Sequence, residues 1–297
     1  EIPLCDWSSD VCSSDLFELG NRSYRCWLKK GHGSVNLHRA LVESCDVYFY
    51  NVGKLLGVDT IAEYARRFGL GELTGIDLPN EKGGLIPTKQ WKVERLKESW
   101  QLGETISISI GQGFNLVTPL QLAVAYSALA NGGTIWRPRL INRIETTEGG
   151  IFKEYLPEKR GELGLTEKNI EILKYALWGV VNENGGTGRA ARRPGSDVSG
   201  KTGTSQVISM PENDKVRRDK KINVFHRDHA LFVCYAPREN PEIAIAIIVE
   251  NAGHGGSAAA PVARKILDAY FNGKKKNVLK KPEAKIGLTD VTGNRQQ

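Results

Sequence analysis

The sequence has no uninterrupted apolar run of about 18 residues, the length a helix needs to cross a bilayer. It has no internal repeat, which excludes a solenoid or a propeller array. Its five histidines fall into no triad pattern. Basic and aromatic residues do not interleave, and the positive charge is not gathered into a stripe, so nucleic acid is a poor partner. Ser-x-x-Lys, the spacing that sets a serine hydroxyl one helical turn before a lysine base, occurs at no position.

What is present is ordinary in bulk. A chain of 297 residues has room for one large or two modest domains. It is 40% hydrophobic and 25% charged, as soluble globular proteins are. A net charge of +7 gives a basic surface, which also suits an anionic polymer such as a cell wall.

The start of the chain stands apart. Asp6–Leu16 repeats Ser-Ser-Asp without a usable period and reads, residue for residue, as a translated sequencing-library adapter. Glu1–Leu16 is therefore expected to be a non-native scar and is set aside from fold reasoning, with native sequence lost before Phe17. A native disordered N-terminus is the alternative. Residues 17–272 are expected to form the domain, and residues 273–297 a Lys-rich disordered tail.

Along the domain, Leu37, Ala40, Leu41 and Ser44 follow helical spacing from Asn36. Helices are expected at Val47–Leu56 and Thr60–Phe68, stopped by Gly57 and Gly69. Gly71–Pro87 reads as a long surface excursion. Thr118-Pro119 opens an apolar core helix through Ala130, because Thr caps and Pro is preorganised at the first turn. Thr166 caps another helix, with Ile170, Leu173, Leu177 and Val181 on one face. Strands follow at Ser199–Val207, His229–Ala236 and Glu242–Glu250, then a helix at Ala258–Phe271. This order predicts an α+β fold, helices packed on a mostly antiparallel sheet.

Two short motifs carry chemistry. Lys201-Thr202-Gly203-Thr204 lies at the start of a strand pattern, where serine acyl-transfer enzymes keep a Lys-Thr-Gly to hold a substrate carboxylate. Ser44-Cys45-Asp46 stands at the end of a helical pattern, and its plain reading is a helix-terminal serine bonded to a backbone carbonyl. Gln112 reads as part of a structural turn before the Thr118 helix, with groove lining as the alternative. His254 reads as a loop-shaping residue.

Taken with Tyr24–Trp27, Gly31–Gly33, Ala40–Tyr50, Gly75–Pro79, Ile110–Gly113, Thr118–Ala123 and Gly253–Gly256, these motifs resemble the transpeptidase domain of the elongation-specific class B penicillin-binding proteins. The resemblance runs from about Phe17 to Phe271. It implies a β-lactamase/transpeptidase-like fold, incomplete at its N-terminus, and acyl transfer between peptidoglycan stem pentapeptides, with β-lactams as inhibitors. It implies that Ser44 relays a proton and that Asp46, where many relatives have Asn, pairs with Lys201 or a backbone amide. Lys201, Thr202 and Thr204 would hold the substrate carboxylate, Gly203 would let it approach, and the Thr204 N–H would donate to the oxyanion. The nucleophile and its lysine base would lie outside this chain, which is then inactive. The family implies a lost membrane anchor, the periplasmic face of the inner membrane, and a rod-complex glycosyltransferase and other elongation proteins as partners.

Catalysis in this family uses no cofactor. Relatives hold a structural zinc near the second motif, at positions matching Cys26, His32 and Cys45. A Cys26–Cys45 disulfide or unrelated buried thiols are the alternatives. Cys45 should point away from the groove, and Cys234 reads as a core residue. Two other functions compete: a serine β-lactamase or β-lactam sensor on the same fold, and a non-catalytic wall-binding pseudoenzyme.

Overall fold

A computed structural model describes residues 11–13, 16–195, 197–207 and 224–279. Its centre is a three-stranded antiparallel sheet of β9 (Ser199–Ser205), β10 (His229–Ala236) and β11 (Ile243–Val249), in the order β11-β10-β9. Strand alternation sorts β10 cleanly. Ala230, Phe232, Cys234 and Ala236 face a core built with Ala259, Ala260, Ala263 and Leu267 of the last helix, α7 (Gly255–Leu279). Tyr235 faces the other way, toward Leu129 of α5 (Pro119–Ala130) and Leu177 of α6 (Glu167–Asn182). Both faces of the sheet are thus covered by helices, the α+β arrangement the pattern predicts.

A second cluster sits beside the edge of β9 that has no partner strand among the described residues. The pairs β2 (Leu16–Leu19) with β3 (Arg22–Arg25), and β1 (Val11–Ser13) with β4 (Gly33–Val35), border it. It is filled by Phe17, Val35, Ala40, Cys45, Val47, Tyr48 and Ile106 from these strands and from α1 (Leu37–Val42), α2 (Asp46–Arg67) and α4 (Leu102–Ile108). Val11–Ser13 lies inside the stretch set aside as a translated adapter, yet it pairs with β4, Val11 opposite Val35. Residues 1–10 lie outside the described residues.

Several elements follow their sequence signals closely. Thr118 caps α5 through a reciprocal box with Gln121, and Pro119 takes its first position. Thr166 caps α6, whose Ile170, Leu177 and Val181 are buried. The two helices expected around Gly57 are one element kinked at that residue, which has φ 74°. Others depart. α1 ends at Val42, so Ser44 lies past the helix and not on its face. The last helix continues to Leu279, beyond the expected start of a disordered tail, with Lys274 anchored on Glu242 and over the Tyr270 ring. Residues 280–297 lie outside the described residues. The helix α3 (Lys89–Leu96), and the hairpin strands β5 (Thr134–Trp136), β6 (Arg143–Glu145), β7 (Ile151–Glu154) and β8 (Lys159–Glu162), were not expected from the sequence.

The Gly71–Pro87 excursion is held by polar side chains, of which Thr74 and Gln121 are buried. Glu81 accepts hydrogen bonds from the Thr74 N–H and hydroxyl and from the Gly75 N–H. Gln121, fully buried, donates to the carbonyls of Glu72 (2.5 Å) and Gly83 (2.7 Å) and accepts from the Thr118 N–H (2.9 Å). In the Gly253–Gly256 loop a side chain would not fit at Gly255: a Cβ there would lie 2.1 Å from the Leu231 carbonyl and 2.6 Å from that of Gly203.

Replacing Gln121 with Leu keeps the volume and strands three backbone groups. It is expected to lower stability by about 3 kcal/mol, read as the midpoint of urea unfolding, and to open the 71–87 excursion to protease.

Candidate functional site

The site forms where the end of α1, the turn after α4 and the free edge of β9 meet. Ser44 occupies the left-handed conformation (φ 55°) that closes α1. The Cys45 N–H returns to the Ala40 carbonyl (2.9 Å) and the Ser44 N–H to the Leu41 carbonyl (3.4 Å). This is a Schellman motif with serine where glycine is usual, and Ala40 and Cys45 make its apolar contact. A left-handed L-residue costs about 1 kcal/mol. What the position gains is a hydroxyl aimed across the groove: Ser44 Oγ accepts a hydrogen bond from Lys201 Nζ at 2.8 Å, linking residues 157 apart in sequence.

Lys201 also donates to the Thr202 carbonyl at 3.2 Å. Burial favours its neutral form and lowers its pKa from 10.5 to about 8, against the opposing pull of the Asp46 carboxylate. Asp46 opens α2 and accepts the Trp27 N–H at 2.8 Å. Burial raises its pKa to about 6, while the Trp27 N–H and Lys201 oppose the rise. Of the two partners expected for this acid, the backbone amide takes the hydrogen bond and the lysine acts through the field.

Strand geometry fixes what the β9 edge offers. In an antiparallel ladder the N–H and C=O of one residue point to the same side, and the side alternates along the strand. Thr204 C=O accepts a hydrogen bond from Gln112 Nε2 at 2.6 Å, so it points away from β10. The Thr204 N–H therefore points into the groove as well. Gln112 Oε1 accepts the Gln206 N–H (3.3 Å), so one side-chain amide occupies the strand edge just beyond Thr204. Gly111 and Gly113, both with positive φ, make the turn that places it. Gln112 is thus both a turn residue and a groove residue.

The remaining motif residues are placed as follows. The Thr202 hydroxyl bonds that of Thr187 (2.9 Å), whose N–H donates to the Val42 carbonyl (3.3 Å). Gly203 is tight against Leu231, with 3.2 Å between a built Cβ and the leucine Cβ. His254 is exposed, and its carbonyl accepts from the Ser257 and Ala258 N–H groups at the start of α7. Thr187 and Trp27 were missed by sequence reasoning; Thr187 sits in a Gly-Gly-Thr-Gly run that marks a tight turn but no partner.

Behind Ser44, Cys26, His32 and Cys45 are all buried, and their ligand atoms lie within 4.8 Å of one another. Neither Cys26 nor Cys45 is in a disulfide, and Cys45 points away from the groove into the core. A hydrogen bond with Cys45 and burial push the Cys26 thiol up to about 12. His32 Nδ1 stands 3.4 Å from Cys26 Sγ. Its Nε2 is buried without a hydrogen bond, 3.9 Å from the Glu43 carboxylate. Two thiols and an imidazole are a zinc donor set, and a carboxylate behind the imidazole is the usual outer partner. The residues fit the metal. Cys234 lies in the sheet core, where burial raises its pKa to about 12.

The model of the penicillin-binding protein transpeptidase domain matches residues 9–268. The peptidoglycan D,D-transpeptidase MrdA of Haemophilus influenzae is 41% identical over 260 residues, 84% of this chain and 38% of its own length. MrdA of Acinetobacter baumannii is 38% identical over 279 residues, 93% of this chain and 41% of its own length. Among solved structures, PBP2 of Pseudomonas aeruginosa superposes with a TM-score of 0.72 at 35% identity, covering 88% of this chain and 53% of that one. Helicobacter pylori PBP2, solved in complex with MreC, gives 0.75 at 30% identity, covering 90% and 46%. The chain spans about two fifths of the length of these curated relatives.

The half-buried, desolvated cation gives the site a pH signature. Because the folded pKa of Lys201 lies below the unfolded value, the unfolded chain binds the extra proton between pH 8 and 10.5, and the lysine's stability penalty is relieved as pH rises through that window. Denaturation at pH 8 and at pH 10 is expected to show the wild-type chain gaining on Lys201→Met across that interval.

Proposed function

This chain belongs to the penicillin-binding protein transpeptidase domain family, and we propose that its groove is that of a peptidoglycan D,D-transpeptidase acting in cell elongation. The observation that carries the reading is the Lys201–Ser44 contact at the open edge of β9. The edge accepts an extended stem peptide as an added strand. Lys201 draws the terminal carboxylate of that peptide, assisted by the Thr202 and Thr204 hydroxyls. The Thr204 N–H donates to the oxyanion, a contribution whose loss costs about 100–1,000-fold in rate in comparable sites. The Ser44 hydroxyl, bonded to a lysine with a lowered pKa, passes a proton to the leaving amine.

Serine-type acyl transfer also needs a nucleophile and its base. The sequence holds no Ser-x-x-Lys, so this chain binds substrate without completing the reaction. A stem peptide and β-lactams are its ligands, and a glycosyltransferase and elongation proteins of the rod complex its partners, at the periplasmic face of the inner membrane. No helix among the described residues is long and apolar enough to cross a membrane.

Mass spectrometry of this chain after incubation with penicillin is expected to show no covalent adduct. A peptide ending in D-Ala-D-Ala is expected to bind reversibly, and Lys201→Ala to weaken it about 10-fold, or about 1.4 kcal/mol. A mass increase of one opened β-lactam would reveal a nucleophile in the chain. Binding indifferent to Lys201 would remove the groove from the reading.

We also propose zinc at Cys26, His32 and Cys45. Bound there, the metal supplies a structural crosslink and releases the thiol protons. Glu43, itself held by Arg39 at 2.8 Å, orients the imidazole. Chain purified without chelator is expected to carry about one zinc by atomic absorption, and Cys26→Ser to lose most of it. Metal-free protein in both cases would count against the site.

A further inference from the structure

The Ser44 turn has a complete set of carbonyl partners, and two of them come from one exposed side chain. The Ala40 and Leu41 carbonyls accept from the turn itself, and that of Val42 from the Thr187 N–H. The carbonyls of Glu43 and Ser44 both accept from Trp27 Nε1, at 3.1 and 2.9 Å. The backbone N–H of the same residue donates to Asp46 Oδ2 at 2.8 Å. Trp27 thus bridges the residues on either side of Cys45.

Apolar burial does not explain the residue. Trp27 is 57% exposed, and its ring meets His32 only at a tilt of 59°, with centroids 5.6 Å apart. Its polar edge is the part that is engaged. Ser44 meanwhile holds a left-handed conformation that an L-residue keeps only where the surroundings over-determine it. A forked hydrogen bond onto the carbonyls before and at Ser44 is such a constraint.

We propose that Trp27 is a positioning residue for the acyl-transfer groove: its indole N–H clamps the Ser44 turn so that Ser44 Oγ meets Lys201. The inference rests on the reading of Ser44 and Lys201 as the proton-handling pair. The hydrogen bonds of Trp27 go to the backbone of Glu43 and Ser44 and to Asp46, so it acts on the pair through the end of α1. Without the clamp, the two carbonyls turn to water, which reaches this exposed spot. The fold persists, and the serine rotates among conformers.

The test uses the full chain, isotopically labelled, with Trp27→Phe and Trp27→Leu. The first keeps an aromatic ring and removes the donor; the second removes both. The Ser44 backbone coupling and Cα shift report its φ, and the Lys201 side-chain nitrogen reports its titration, for which Asp46 is the facing charge. Both variants are expected to move Ser44 toward values averaged with right-handed conformers. Lys201 is expected to shift from about 8 toward 10.5 as the groove end loosens, while the unfolding midpoint stays near wild type. A Trp27→Phe chain with wild-type Ser44 and Lys201 signals overturns the clamp. A wild-type chain whose Lys201 already titrates at the ordinary value, with Ser44 averaged, overturns instead the proton-handling pair on which it rests.

Discussion

One hydrogen bond closes this groove: the Lys201 ammonium on the Ser44 hydroxyl, between an edge strand and the end of a helix 157 residues earlier. Each end is prepared at a cost. Ser44 sits where glycine would relax the backbone, and Lys201 is a cation in a desolvated place. Neither arrangement is explained by stability. Their coincidence at one contact is what a site looks like when local rules give way to chemistry.

The contact depends on an unusually full accounting of nearby backbone groups. Thr187 joins the end of α1 to β9 through its N–H and its hydroxyl, and Gln112 holds the far end of the same strand edge with both atoms of its amide. Gly255 lets the loop before α7 lie directly on Gly203 and Leu231. The sheet edge is thereby stiffened from three sides, while the N–H of Thr204 faces the groove. An open strand edge is otherwise a hazard. Here it is short, bounded by the Gln112 side chain and faced by Lys201.

Sequence reading recovered what local chemistry signals. Thr118-Pro119 and Thr166 announce their helices by capping, and β10 by an unbroken apolar run between turn residues. The Ser44 turn was misjudged because a Schellman closure is normally marked by glycine, and the helical spacing ran on through a serine. The 134–162 hairpins escaped because their strands are short and largely exposed, with no alternating apolar face to read. Trp27 escaped for another reason: its partners include a backbone carbonyl 17 residues away, and no spacing rule encodes a side chain bonded to distant carbonyls.

The thiol–imidazole cluster bears on the groove through covalent adjacency. Cys45 lies between Ser44 and Asp46, and Cys26 is followed by Trp27, so both thiols are next to residues that shape the pair. With its proton on, the Cys26 thiol leaves Asp46 in a weakly screened place, where burial is the largest cause of its raised pKa. A dication among the same atoms would act in the opposite sense and favour the carboxylate. An ionised Asp46 in turn favours the charged form of Lys201, the form that attracts a carboxylate. A structural metal here would therefore set more than the fold of a loop: through Asp46 it would bias the charge carried by Lys201.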